Sequence, residues 1–223
     1  MTLPRKRTGP LSTPPFPSTN ELAARGAPVE LRDGAHIRVR QGRSSDRELL
    51  LRGFERLSNE SRYRRFLAPM PELSETMAHY LLEVDHHNHE AIIALEEGTG
   101  EGIGVARYIR NTKCPDTAEV AVTVIDDWQA RGVGTLLLEV LSERAREASI
   151  TTFTALMLAT NQDMMDVLTN LGPFRIIDRE LGTVEIQMPI PEVGLSPALR
   201  KLLGIAALHD VAVAPGAMTQ ATT

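Results

Sequence analysis

The chain has 223 residues, 42% hydrophobic and 24% charged, and its 24 Lys and Arg against 29 Asp and Glu give a net charge of −5. This balance excludes whole-chain disorder and argues against a dedicated nucleic-acid binder. The single cysteine, Cys114, excludes an internal disulfide and an all-cysteine zinc site. No apolar run approaches the ~20 residues that cross a bilayer, and the basic N-terminus lacks the apolar stretch of a secretory signal. The expectation is a cytoplasmic protein that engages neither membrane nor nucleic acid.

Composition divides the chain in three. Pro4, Pro10, Pro14, Pro15, Pro17 and Pro28 crowd the first segment, which has few large apolar side chains. Residues 1–35 therefore read as a flexible arm that cannot offset its ordering entropy. Residues 36–190 carry nearly all the periodic pattern and read as one domain, and 191–223 as a tail. In the domain, Ile37 and Val39 alternate with Arg38 and Arg40 as a short strand. Ser45-Asp46-Arg47-Glu48 has a capping-box pattern, opening a helix with Leu50, Phe54 and Leu57 on one side. Ser74 caps a further helix in which Met77, Tyr80, Leu81 and Val84 share a face.

Three strand-like runs follow, at 90–96, 102–110 and 117–125. A glycine-rich turn from Gly98 to Gly102 joins the first two, which predicts antiparallel pairing. A helix, a strand over 152–158, another helix and a final hairpin (174–178, 183–190) complete the domain. The pattern predicts an α/β fold, a mixed and mostly antiparallel twisted sheet of six or seven strands with helices on both faces. In the tail, Ser196-Pro197 opens a short amphipathic helix with Leu199, Leu202, Leu203 and Ala206 on one face. It would dock on its own domain, a second copy in a homodimer, or another partner.

The chemistry concentrates in AEVAVTVIDDWQARGVGTLLLEVLSERARE (residues 118–147). A strand ends near Val124, a turn runs from Gln129 to Gly134, and a helix begins with Val133, Leu136, Leu137, Val140, Leu141 and Ala145 as its apolar stripe. The first turn of a helix has unpaired N–H groups backed by the positive end of the macrodipole. Gly132 and Gly134 would let an anion touch that backbone, and Arg131 would add a fork suited to phosphate. The spacing is neither GxGxxG nor GxxxxGK[ST]. A bare R-x-G-x-G is equally a glycine-rich strand-to-helix turn without a ligand.

Gln129-Ala130-Arg131-Gly132-Val133-Gly134 resembles the Q/R-x-x-G-x-G/A signature of the GNAT acyltransferases, which bind acetyl-CoA. The resemblance extends to Asp126-Asp127-Trp128, to Asn161 and to Asn170-Leu171-Gly172-Pro173-Phe174, and covers about residues 36–190. LSNESRYRRF (57–66) and VDHHNHEAIIAL (84–95) are similar to the subgroup that includes bacterial protein-lysine acetyltransferases. The resemblance implies that the two parallel strands, 117–125 and 152–158, splay apart at the cofactor site. It implies acetyl-CoA as cosubstrate, its pantetheine arm paired with the backbone of Val122 and Val124. The amides of Gln129, Arg131, Gly132, Val133, Gly134 and Thr135 would take the pyrophosphate, and Asn161 would touch the arm near the thioester. A backbone N–H at about Val124 would polarise the acetyl carbonyl.

Attack by an amine requires a base, and Glu119 is the candidate: it is a charged residue on an otherwise apolar strand, sharing a face with Ala121 and Thr123. A strand-end glutamate exposed to water or paired with an arginine is the competing reading. Many of these enzymes place a tyrosine in the helix after the asparagine to protonate the leaving thiolate, and here Leu168 aligns with it. The acceptor would be a protein lysine or a small amine; a non-catalytic CoA-binding sensor or scaffold is the other class. Asp85-His86-His87-Asn88-His89-Glu90 lacks metal-site spacing, and no metal is expected. Arg62, Arg64 and Arg65 around Tyr63 read as a solvated helix face, or as a basic patch for an acidic acceptor protein.

Overall fold

The computed structural model of the protein describes residues 26–190. The expected tail helix and the first 25 residues of the expected arm lie outside them. One sheet is built from β1 (Ala27–Glu30), β2 (His36–Gln41), β3 (His89–Glu96), β4 (Gly102–Arg110), β5 (Thr117–Val124), β6 (Thr152–Leu158), β7 (Arg175–Glu180) and β8 (Thr183–Pro189). The spatial order is β1-β2-β3-β4-β5-β6-β8-β7, and every pairing is antiparallel except β5–β6. Three helices lie between β2 and β3: α1 (Arg47–Glu55), α2 (Asn59–Phe66) and α3 (Glu75–Leu82). The helix α4 (Val133–Glu147) carries the chain from β5 to β6, and α5 (Gln162–Leu171) follows β6.

The sheet has eight strands, where the pattern predicts six or seven. The additional strand is β1, inside the segment read as an arm. Ala27, Val29 and Leu31 alternate with Pro28 and Glu30 and are buried, and β1 pairs with β2 from Ala27–Val39 to Glu30–His36. Pro28 is tolerated because β1 is an edge strand.

The expected capping box at Ser45 does not form. A short 3-10 turn over Ser44–Asp46 precedes α1, and Asp46 accepts instead from the Arg43 amide at 2.8 Å while pairing with Arg40 at 2.7 Å. The ion pair with Arg40 draws Asp46, rather than Ser45, to the helix start. Ser74 does cap α3, accepting from the Met77 amide at 3.2 Å. That helix ends at Leu82, short of Val84, and buries Ala78, while Tyr80 stays 48% exposed.

The core lies between the sheet and α4. Val133, Leu136, Leu137, Val140, Leu141 and Ala145 are all buried there, with Ile37, Ile92, Ala106, Tyr108, Val120, Phe153 and Ile186 on the strands. The other face of β3, β4 and β5 carries α1, α2 and α3.

Candidate functional site

The parallel strands part. β5 and β6 are in register only at Thr117–Thr152, Ala118–Phe153 and Glu119–Thr154. Beyond Glu119, β5 continues against β4 alone and β6 against β8 alone. The Ile125 amide donates to Ile103 O at 3.0 Å and the Asn111 amide to Thr117 O at 2.9 Å. Odd-numbered residues of this strand therefore exchange bonds with β4, and by antiparallel alternation Val122 and Val124, beyond the last pair with β6, direct their N–H and C=O into the gap. Gln129 Nε2 takes one of these, Val124 O, at 3.0 Å.

At the open end of the gap lies the turn into α4. Ala130 (φ 56°) and Gly132 (φ 86°) both adopt left-handed backbone, and the first helical bond runs from the Leu136 amide to Gly132 O at 3.0 Å. The amides of Val133, Gly134 and Thr135 precede that bond, so they have no acceptor within the helix. A Cβ at Gly132 would meet nothing within 4 Å; the turn is open on that side. Gly134 lies over β5, where a Cβ would sit 3.7 Å from Val124 Cγ2 and 3.9 Å from Val122 Cγ2.

Other residues of the motif serve the protein first. The Gln129 amide donates to Asp126 O at 3.2 Å, and its side chain also donates to Ser61 Oγ at 3.1 Å. The Arg131 guanidinium stacks 4.0 Å above the Trp128 ring and donates from Nε to Asp33 at 2.6 Å. That bond holds the Asp33 carboxyl below its usual pKa. Asn161 caps α5, its Oδ1 accepting from the Met164 amide at 3.2 Å.

A network that the sequence did not announce locks α2 to this turn. Asp126 accepts from the Ser58 amide at 2.9 Å, the Ser58 hydroxyl at 2.6 Å and the Ser61 hydroxyl at 3.0 Å. Burial pushes the Asp126 carboxyl up, but the bonds from Ser58 and Ser61 prevail and hold it below the usual range. The signal available was Ser58 before an Asn-Glu pair, an N-cap pattern; Ser58 Oγ does accept from the Ser61 amide at 3.1 Å.

Glu119 is the last residue of β5 registered with β6, and it is exposed where the two strands separate. It shares the face opposite α4 with Ala121 and Thr123, and across the ladder it neighbours Arg107, which is opposite Ala121. Leu168 is fully buried in the core, so its position supplies neither a hydroxyl nor access to the gap.

The histidine run is bonded into the fold. Asp85 accepts from the amides of His87, Asn88 and His89, and these bonds outweigh its burial to depress its pKa. His86 Nδ1 lies 2.8 Å from the fully buried Glu90, and His89 accepts from Arg107. Among the described residues, no three His, Cys, Asp or Glu side chains group to hold a metal ion.

The three arginines, expected as a solvated helix face or else a basic patch, are each partly buried and turned to different neighbours. Arg62 donates to Pro71 O and Glu55 O, Arg64 pairs with Glu60 and Asp163, and Arg65 turns toward the sheet.

The acetyltransferase (GNAT) family profile matches residues 52–172, and the chain belongs to this family. It is 32% identical over 170 residues to the acetyltransferase Pat of Mycolicibacterium smegmatis, covering 76% of this chain but 50% of that protein. It therefore spans about half the length of this relative. The GNAT domain of S. lividans PAT superposes with a TM-score of 0.68 at 36% identity, over 74% of this chain and 96% of that one. A cAMP-binding acyltransferase from Mycobacterium smegmatis (E234A mutant) superposes at 0.58 and 29% identity, over 81% of this chain and 52% of that one.

Proposed function

We propose that the chain transfers an acetyl group from acetyl-CoA to an amine, a protein lysine being the acceptor class that the sequence resemblance favours. The observation that carries this reading is the coincidence of three features. β5 and β6 part immediately after Glu119, the open edge of β5 presents Val122 and Val124, and the unpaired amides of the α4 turn lie at the far end.

These residues suit the cosubstrate. The open side of Gly132 and the amides of Val133, Gly134 and Thr135 would take the pyrophosphate, with the Gln129 and Gly132 backbone shaping the turn and Arg131 adding charge. The gap-facing backbone of Val122 would hold the amide-bearing arm as an added strand, and the Asn161 side-chain amide would reach it from α5. When bound, the thioester supplies the activated acyl carbon.

The chain's own part is proton handling and orientation. A lysine amine with a pKa of ~10.4 costs roughly 4–5 kcal/mol to deprotonate at pH 7. Glu119 accepts that proton directly or through one water while the amine forms its bond to the acyl carbon and the carbon–sulfur bond breaks. A gap-facing N–H of β5, at about Val124, stabilises the developing oxyanion. Because Leu168 has no proton to give, water protonates the departing thiolate.

Glu119→Gln tests this. Turnover should fall by about 10²- to 10⁴-fold while acetyl-CoA affinity is retained. Unchanged turnover would remove Glu119 as the base, and no transfer by the wild type to any amine or protein extract would favour a CoA-binding module instead.

A further inference from the structure

On the face opposite α4, the helices α1, α2 and α3 do not close fully onto β3, β4 and β5. They leave a cavity of about 120 Å³, walled chiefly by apolar side chains such as Leu50, Phe54, Ile93 and Val105. Three arginines, Arg43, Arg65 and Arg107, also line it. Burying a guanidinium is unfavourable unless its donors are paired, and one donor of Arg107 is not.

Arg107 is only 6% exposed. Its Nη2 donates to Leu81 O at 3.2 Å and to His89 Nε2, and its ring neighbour is Tyr80 at 5.7 Å. Its Nε–H is buried with no hydrogen-bond partner among the described residues. Arg65 is half-buried and stacks on Phe66 at 5.1 Å. Burial, helped by the repulsion of Arg65, holds the Arg107 pKa down at about 10. Burial lowers Arg65 as well, opposed by the charge of Glu119 and by Tyr80. The carboxylate in the cavity wall, Asp46, is committed to Arg40 and the Arg43 amide.

Arg107 is diagonal to Glu119 on the same face of β4 and β5, and Arg65 feels the Glu119 charge, so two positive charges, one with an unsatisfied donor, lie near that carboxylate at the edge of the recess. That arrangement matches a ligand carrying both signs: an ammonium toward Glu119 and a carboxylate toward the guanidinium pair. We propose that Arg65 and Arg107 form an anion subsite that receives a carboxylate borne by the acceptor close to its reactive amine. This rests on the transferase reading and narrows its substrate class to acidic acceptors, either a lysine flanked by an acidic residue or a small amino acid.

Calorimetric titrations test it with and without saturating CoA, so the readout does not require turnover. The probes are acetyl-Gly-Lys-Glu-Gly-amide against its Gln counterpart, and 5-aminopentanoate against pentylamine. At least one carboxylate-bearing probe should bind the wild type about tenfold or more tightly than its neutral counterpart, and which pair discriminates identifies the source. Arg65→Gln should bring that preference close to unity, and Arg65→Lys should restore part of it. Equal affinities within both pairs, or no binding by any probe, would overturn the subsite. A preference untouched by Arg65→Gln would overturn the role of Arg65 in it. Transfer lost with Glu119→Gln, without discrimination between probes, would leave the transferase intact and the subsite refuted.

Discussion

Gly132 and Gly134 stand two residues apart and answer to different constraints. Gly132 holds φ at 86°, where any side chain is strained although nothing crowds it. Gly132→Ala should therefore cost about 1 kcal/mol of stability, read as a lower urea midpoint. Gly134 lies inside the helix, and a Cβ there would find ordinary contacts at 3.7–3.9 Å with Val122, Val124 and Val167. Gly134→Ala should leave the fold intact, so any loss of acetyl-CoA affinity in that variant reports on ligand approach. Both glycines were legible in the sequence, but their reasons were not, because a backbone dihedral and the distance to β5 depend on three-dimensional placement. Sequence also marked Glu119 through its charge on an apolar strand. It could not show that this residue closes the β5–β6 ladder, since that depends on the register with Thr154.

At the scale of elements, the site depends on α2 being fastened to the β5–α4 turn. Asp126 gathers Ser58 and Ser61 across 68 and 65 residues of sequence, a separation no local pattern could encode. Asp126→Asn should weaken this latch by about 1 kcal/mol after discounting for solvent exposure. Its pH dependence follows from the sign of the shift. The folded carboxyl lies below its ordinary value of 3.8, so the latch contributes fully above that pH and is lost as pH falls through the lower folded value. Between pH 5 and pH 3 the wild-type unfolding midpoint should drop more than that of the Asn variant. The elements themselves were largely readable: β6, β8 and the α4 stripe follow their periods closely. The pattern missed β1, where four residues containing Pro28 resemble linker until they pair with β2, and placed the α1 cap on Ser45 because the ion pair between Arg40 and Asp46 is invisible locally.

Across the whole molecule, one buried charge cluster ties the sheet to its crossover helix. Glu90 is fully buried and receives Arg144 at 3.1 Å, Gln41 at 2.8 Å and its neighbour's amide, from Ala91, at 2.9 Å. These partners come from β2, β3 and α4, so the cluster fixes the angle at which α4 directs its N-terminus toward the gap. Removing one member leaves a buried charge without its counter-ion. Arg144→Met should cost about 3–5 kcal/mol in chemical denaturation, the largest effect expected of any substitution outside the apolar core. The sequence placed Glu90 in a strand and Arg144 in a helix, yet joined neither to the other, because nothing in a linear pattern reports what meets across a sheet.

The central claim is that the α4 turn and the parted strands hold acetyl-CoA. Calorimetric titration of acetyl-CoA into the wild-type chain, beside Gly134→Val, tests it most directly. The wild type should bind with about micromolar affinity, near −8 kcal/mol, and the variant should lose binding while remaining folded by circular dichroism. Equal affinity in both proteins would place the cofactor elsewhere, and a wild type that does not bind acetyl-CoA would not be an acetyl-CoA-dependent transferase.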